Sequence, residues 1–158
     1  MRFPLTLPDH KPFDAVGFGL NAVDHLIVVP EYPAFDTKLR LLEHKQAAGG
    51  QTASTMVALK RLGLHTAYAG RFGSDAEGQF GFQSLEAEGV NIEFAEVVEG
   101  AHNQLAFIII DARSGERTII WDRDGGGLWQ FSKPAKRCRS LACLRCCVFW
   151  PCLFRRSL

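Results

Sequence analysis

A single one-sided helix between short β-branched runs constrains this chain more than any other feature. From Thr52 the apolar residues Ala53, Met56, Val57, Leu59 and Leu62 recur at helical spacing, and Gly63 stands where a left-handed C-cap belongs. Such a helix has one apolar stripe and must bury it on something flat. The flanking runs supply the flat partner. Ala15 to Leu20 and Leu26 to Val29 are short, apolar and closed by Pro30 and Pro33, which reads as strand, turn, strand, and Leu39 to Leu42 adds a further short strand. Thr66 to Phe72 is the next strand. Ser74-Asp-Ala-Glu77 then forms a Ser-x-x-Glu capping box that opens a second helix, ending at Gly89. Phe94 to Val98, Leu105 to Ile110 and Arg117 to Trp121 read as strands, the last two joined as a hairpin through residues 111–115. Strands alternating with helices predict an α/β domain with a mainly parallel sheet and a few antiparallel strands.

That pattern stops near Gly125, and the composition changes with it. Residues 1–124 hold all 17 acidic residues against 11 basic ones, a formal charge of −6. The last 34 residues hold the other 7 basic residues, all five cysteines and no acid. A mean hydropathy near zero and 47% hydrophobic residues fit a globular protein, and no apolar run approaches the roughly 18 residues of a membrane span. Met1 to Phe13 carries three prolines and no apolar core, so no secretory or transit signal is read there and a cytoplasmic location is expected by default.

Several positions invite a functional reading. Gly49 and Gly50 precede the first helix, where backbone N–H groups are unpaired and a ligand can approach without a Cβ in the way, although a glycine pair there is more often turn punctuation. Asp24 lies at the carboxyl edge of the first strand, where open α/β sheets place ligands, and a solvated turn aspartate is the commoner case. His25, His44, His65 and His102 read as surface or strand-edge residues, and no metal site is expected in residues 1–124.

Order and spacing join these signals. Gly17-Phe-Gly-Leu-Asn-Ala-Val-Asp24, Ala48-Gly-Gly-Gln-Thr-Ala-Ser54, Ala58-Leu-Lys-Arg-Leu-Gly63, Gly70-Arg-Phe-Gly-Ser-Asp-Ala-Glu-Gly78 and Ser114-Gly-Glu-Arg-Thr-Ile119 follow one another with characteristic gaps. Together they resemble the amino-terminal half of the ribokinase-like (PfkB) carbohydrate kinases, over about residues 13–124. The resemblance implies a Rossmann-like α/β/α domain with a small β lid, and an ATP-dependent, Mg2+-assisted transfer of phosphate to a sugar or nucleoside hydroxyl. It implies that the lid is supplied by Leu26 to Val29 and Leu39 to Leu42, and that it is a candidate surface for a dimer.

The resemblance also assigns roles. Asp24 matches the aspartate that accepts hydrogen bonds from sugar hydroxyls, and Gly49 and Gly50 match the pair whose bare backbone lines the sugar. Gln51 stands where many members carry Asn or Lys. Ser54 replaces a second Asn, offering one donor where a carboxamide offers two, which implies a different or more loosely held substrate. Asn103 and Gln104 fall near positions used at the sugar's edge, and Arg117 near the phosphate-transfer region.

The chemistry expected of the family is absent from these 158 residues. Its Gly-Ala-Gly-Asp motif, which combines an anion hole at a helix N-terminus with the catalytic aspartate, does not occur, so no catalytic residue is assigned. The expectation is a fold cut after about half its length, with residues 1–124 the kinase-like half and residues 125–158 an out-of-frame or disordered tail. Three other readings of the tail explain one feature each: zinc on Cys138, Cys143, Cys146 and Cys152, membrane association of Leu141 to Phe154, and nucleic-acid binding by Lys133, Lys136, Arg137 and Arg139. Neither nucleic acid nor membrane is expected as a partner. A central strand is expected to be left as an open edge, and deletion of residues 125–158 to leave stability unchanged.

Overall fold

The computed structural model describes residues 12–123 and the backbone of residues 147–149. Nine strands and two helices run in the order β1 (Ala15–Phe18), β2 (Ala22–Val29), β3 (Glu43–Gly49), α1 (Gln51–Arg61), β4 (Thr66–Ala69), β5 (Arg71–Gly73), α2 (Ala76–Ala87), β6 (Glu96–Val98), β7 (Leu105–Asp111), β8 (Arg117–Asp122) and β9 (Cys147–Phe149). The cysteines, cations and apolar stretch singled out in the tail lie outside the described residues, apart from the backbone of β9.

The strands form three sheets. One has the order β4-β1-β9 with parallel neighbours, and a second pairs β5 with β6, also parallel. The third has the order β3-β2-β7-β8, with β2 and β7 parallel and both outer pairs antiparallel. Pairing of Val16 to Phe18 with Cys147 to Phe149 gives β1 a neighbour on each side.

Core packing follows the alternation of β1. Ala15 faces the helices with Ala53, Met56, Tyr68, Phe72, Leu85 and Val90, while Val16 lies on the other face with Ala67 and Ala69 under Phe13, Phe18 and Phe94. Both described helices cover the same face. Helix α1 buries Thr52, Ala53 and Met56 and carries Lys60 and Arg61 in its last turn, where cations suit the helix dipole. Gly63, at φ 90°, ends it in the left-handed conformation read from the sequence.

Three local readings are corrected. The run Thr66 to Phe72 divides at Gly70, where the chain passes from pairing with β1 to pairing with β6, and a Cβ on Gly70 would stand 2.6 Å from the Gly19 carbonyl oxygen. Helix α2 is capped by Asp75 rather than Ser74: its carboxylate accepts from Gly78 N at 2.9 Å, while Ser74 Oγ accepts from Gly100 N. Leu39 to Leu42 is not a strand. The strand beside β2 is Glu43–Gly49, whose polar start hides it, and Leu39, Leu41 and Leu42 are exposed.

Candidate functional site

The four-stranded sheet carries Asp24 into contact with the start of α1. Antiparallel pairing sets Asp24 opposite Ala47 and Ala22 opposite Gly49, so the aspartate side chain lies on the face toward which Gly49 would point a Cβ. Such a Cβ would stand 2.7 Å from Asp24 Oδ2, so any side chain at this position would have to displace the carboxylate from where it lies. Gly50 follows at φ 90° as the N-cap of α1, with no side-chain cap. A Cβ on Gly50 would meet the Asn21 backbone at 2.5 Å. The sequence thus places two glycines where backbone and carboxylate crowd together, and leaves the Gln51 and Thr52 N–H groups of α1 without a side-chain cap beside an anion, while Ala53 N donates to the Leu20 carbonyl.

Asp24 is half-buried, and among the described residues its carboxylate has no hydrogen-bond partner. Loss of water raises its pKa above the ordinary carboxylate value, and the neighbouring His25 pulls it partly back. Free acceptor oxygens next to unpaired N–H donors suit a group that both donates and accepts, which a hydroxyl does.

Upstream, Asn21 is buried and braces the crossing between the sheets. Its Nδ2 donates to the Arg71 carbonyl at 2.6 Å and to the Tyr68 hydroxyl at 3.1 Å, and that hydroxyl donates to the Gly19 carbonyl at 2.7 Å. Burial raises the Tyr68 pKa well above that of a free phenol. Asn21 Oδ1 is buried without a partner. The sequence reading missed Asn21 and Tyr68, since nothing in local periodicity shows that residues 47 positions apart meet.

The remaining candidates divide. Gln51, exposed, opens α1, and Ser54, also exposed, lines with Gly49, Val57, Phe80 and Leu85 a groove of about 850 Å³ between α1, α2 and β3. Asp24 is not part of that groove's wall. Asn103 and Gln104 are buried, at 3% and 6% exposure. Asn103 is committed to structure: Oδ1 accepts from Gly73 N, Nδ2 donates to the Gln104 carbonyl, and its own N–H donates to Asp75. The Gln104 carbonyl also accepts from Val23 N, one residue before Asp24. Arg117 pairs with Ile110, which lies beside Val28, so it is displaced about 13 Å along the strands from Asp24, at 3.3 Å per residue. The structure does not bring it to the Asp24 site.

The described residues do not fit Mg2+ or a triphosphate. Among them no cluster of three or more His, Cys, Asp or Glu is placed to hold a metal. The Asp75 carboxylate occupies the N-terminus of α2, and Asp24 flanks that of α1, so both helix starts face a carboxylate and repel an anion. No helix of the described residues is long and apolar enough to cross a membrane.

The model of the pfkB family carbohydrate kinases matches residues 15–144, which is most of the chain. A nucleoside kinase of Methanothermobacter thermautotrophicus is 29% identical over 99 residues, covering 63% of this chain and 32% of that protein. Among solved structures, a candidate ribokinase of Agrobacterium tumefaciens superposes with a TM-score of 0.68 at 29% identity, over 78% of this chain and 39% of its own. A fructokinase of Xylella fastidiosa with bound ATP gives 0.56 at 29% identity, over 70% and 33%. The chain belongs to the pfkB family of carbohydrate kinases and has the ribokinase-like fold. It spans about a third of the length of these relatives.

Proposed function

We propose that these 158 residues form the sugar-binding part of a carbohydrate kinase and do not transfer phosphate by themselves. The observation that carries the reading is the Asp24 carboxylate, free of protein partners and set against Gly49 and Gly50 at the uncapped start of α1. A sugar hydroxyl placed there donates to Asp24 and accepts from the backbone. Gln51 opens α1 directly after the glycine pair, Ser54 lines the neighbouring groove that Asp24 does not reach, and the Gln104 carbonyl holds Val23 next to Asp24, whereas Asn103 acts by fixing the Gly73 turn. Sugar as the substrate class is supported by the family's description and by the fructokinase relative.

In the intact kinase ATP supplies the phosphoryl group and Mg2+ neutralises its charge. The residues described here contribute neither, and the sequence has no Gly-Ala-Gly-Asp. We assign residues 1–124 to the sugar half and residues 125–158 to a separate segment of different composition, and take the molecule to work in the cytoplasm. The lid sheet exposes Ile119, Ile120 and Trp121 on its outer strand, which suits pairing with a second copy. The test is an ADP-release assay with ATP and Mg2+ across pentoses, hexoses and nucleosides, run beside saturation-transfer NMR on the same compounds. Binding without turnover is expected. Turnover overturns the inactive reading, and absence of any binding overturns the sugar site.

A further inference from the structure

His25 follows the site aspartate but points to the opposite face of its sheet. There its Nδ1 lies 3.1 Å from Nε2 of His44 on β3. The ring centroids are 5.4 Å apart and the planes differ by 11°, so the rings lie edge to edge with nitrogen facing nitrogen. Such a contact needs one N–H and one lone pair. The other end of His25 meets a different element: Nε2, buried and without a hydrogen-bond partner, is 3.9 Å from Glu77 Oε1 in the first turn of α2. Phe107 of β7 packs against the ring, with centroids 5.1 Å apart.

The charged and titratable groups around His25 are few. Register places His44 and the neutral Gln46 of β3 on its own face, with Phe107 from β7 and Glu77 from α2, while Asp24 and Lys45 lie on the opposite face. Among the described residues Glu77 is thus the one carboxylate facing the ring from an element outside the sheet.

The geometry points to a proton-operated latch: one added proton on the His25–His44 pair makes it a cation and fixes an N–H on His25 Nε2 toward Glu77, tying the four-stranded sheet to helix α2. Without that proton the pair is neutral and holds two N–H groups, one between the rings and the other on either His44 Nδ1 or His25 Nε2, so Glu77 faces an N–H in only one tautomer and never a cation, and 3.9 Å is longer than a hydrogen bond. With it, whichever ring takes the proton from solvent, His25 Nε2 carries an N–H toward Glu77 and the pair is cationic, the charge facing the carboxylate directly when it rests on His25. Histidine is the side chain suited to do this within the physiological range. The same charge sits beside Asp24, so latching alters the field at the candidate site without touching its free oxygens.

The test is amide hydrogen exchange of β2 and β3 in the full chain at pH 6 and pH 8, corrected for the intrinsic exchange rate. Protection is expected to rise about threefold at the lower pH, as for a partly exposed charged pair, and Glu77→Gln is expected to abolish the rise. His44→Gln, at an exposed position, is the second variant and should also flatten the response. An equal rise in Glu77→Gln, or no rise in the unaltered chain, overturns the latch. Neither readout involves sugar or ATP, so failure here is separable from failure of the sugar site.

Discussion

Replacing Tyr68 by Phe tests the brace that aligns the two sheets. The ring is fully buried, and the substitution removes only the hydroxyl, so packing is almost unchanged. Two hydrogen bonds vanish: the one donated to the buried Gly19 carbonyl at 2.7 Å and the one accepted from Asn21 Nδ2 at 3.1 Å. Asn21 keeps its bond to the Arg71 carbonyl. The Gly19 carbonyl is left without its side-chain partner in a dry site, a penalty of about 1–3 kcal/mol. Tyr68→Phe should therefore cost about 2 kcal/mol, close to a thirtyfold change in the folded-to-unfolded ratio. Urea unfolding at pH 7.5 with unchanged slope measures it. The pH dependence gives a second handle. Because the folded-state pKa of Tyr68 is raised, its contribution is complete below the ordinary tyrosine pKa near 10 and is lost as pH rises toward the higher folded value, a loss the Phe variant lacks. A cost below about 0.5 kcal/mol, or identical alkaline behaviour in both proteins, refutes the brace.

Asp24→Asn should stabilise the sugar-free chain at pH 7. The raised pKa means that the neutral form suits the fold: Asp24 contributes most below its ordinary range near 3.8, and that contribution is lost as pH rises through the folded value. The advantage of Asn should shrink toward zero at low pH in thermal melts, and a constant difference would count against desolvation as the cause. Gly50→Ala places a Cβ 2.5 Å from the Asn21 backbone at φ 90° and should cost at least about 2 kcal/mol; a tolerated alanine would mean the turn relaxes freely. Removal of residues 125–158 strips β9 from β1 and should lower the melting temperature. An unchanged melt would restore the reading of the tail as irrelevant to stability.

Local chemistry was legible in the sequence, and long-range pairing was not. Helix α1 and its Gly63 terminus were readable because 3.6-residue periodicity and a left-handed cap are local signals. Strand β3 escaped because Glu43, His44, Lys45 and Gln46 are polar, and its pairing with β2 rather than its own composition makes it a strand. Gly49 and Gly50 announced a close approach, and the structure adds what approaches: Asp24 for one, the Asn21 backbone for the other. Asn103 looked like a ligand contact because it is polar at a strand start, yet its polar groups are committed within the protein, to Gly73, Asp75 and the Gln104 carbonyl. His25 and His44 read as isolated surface histidines, since only strand register brings them within 3.1 Å.

The most direct test of the account is calorimetric titration of the chain and of its Asp24→Ala variant with the sugars that bind in the NMR screen. A charge-assisted hydrogen bond contributes about 1.5–3 kcal/mol, so the variant should bind roughly ten- to a hundredfold more weakly while keeping its fold by circular dichroism. Equal affinity in the two proteins would contradict the assignment of Asp24 as the residue that holds the sugar.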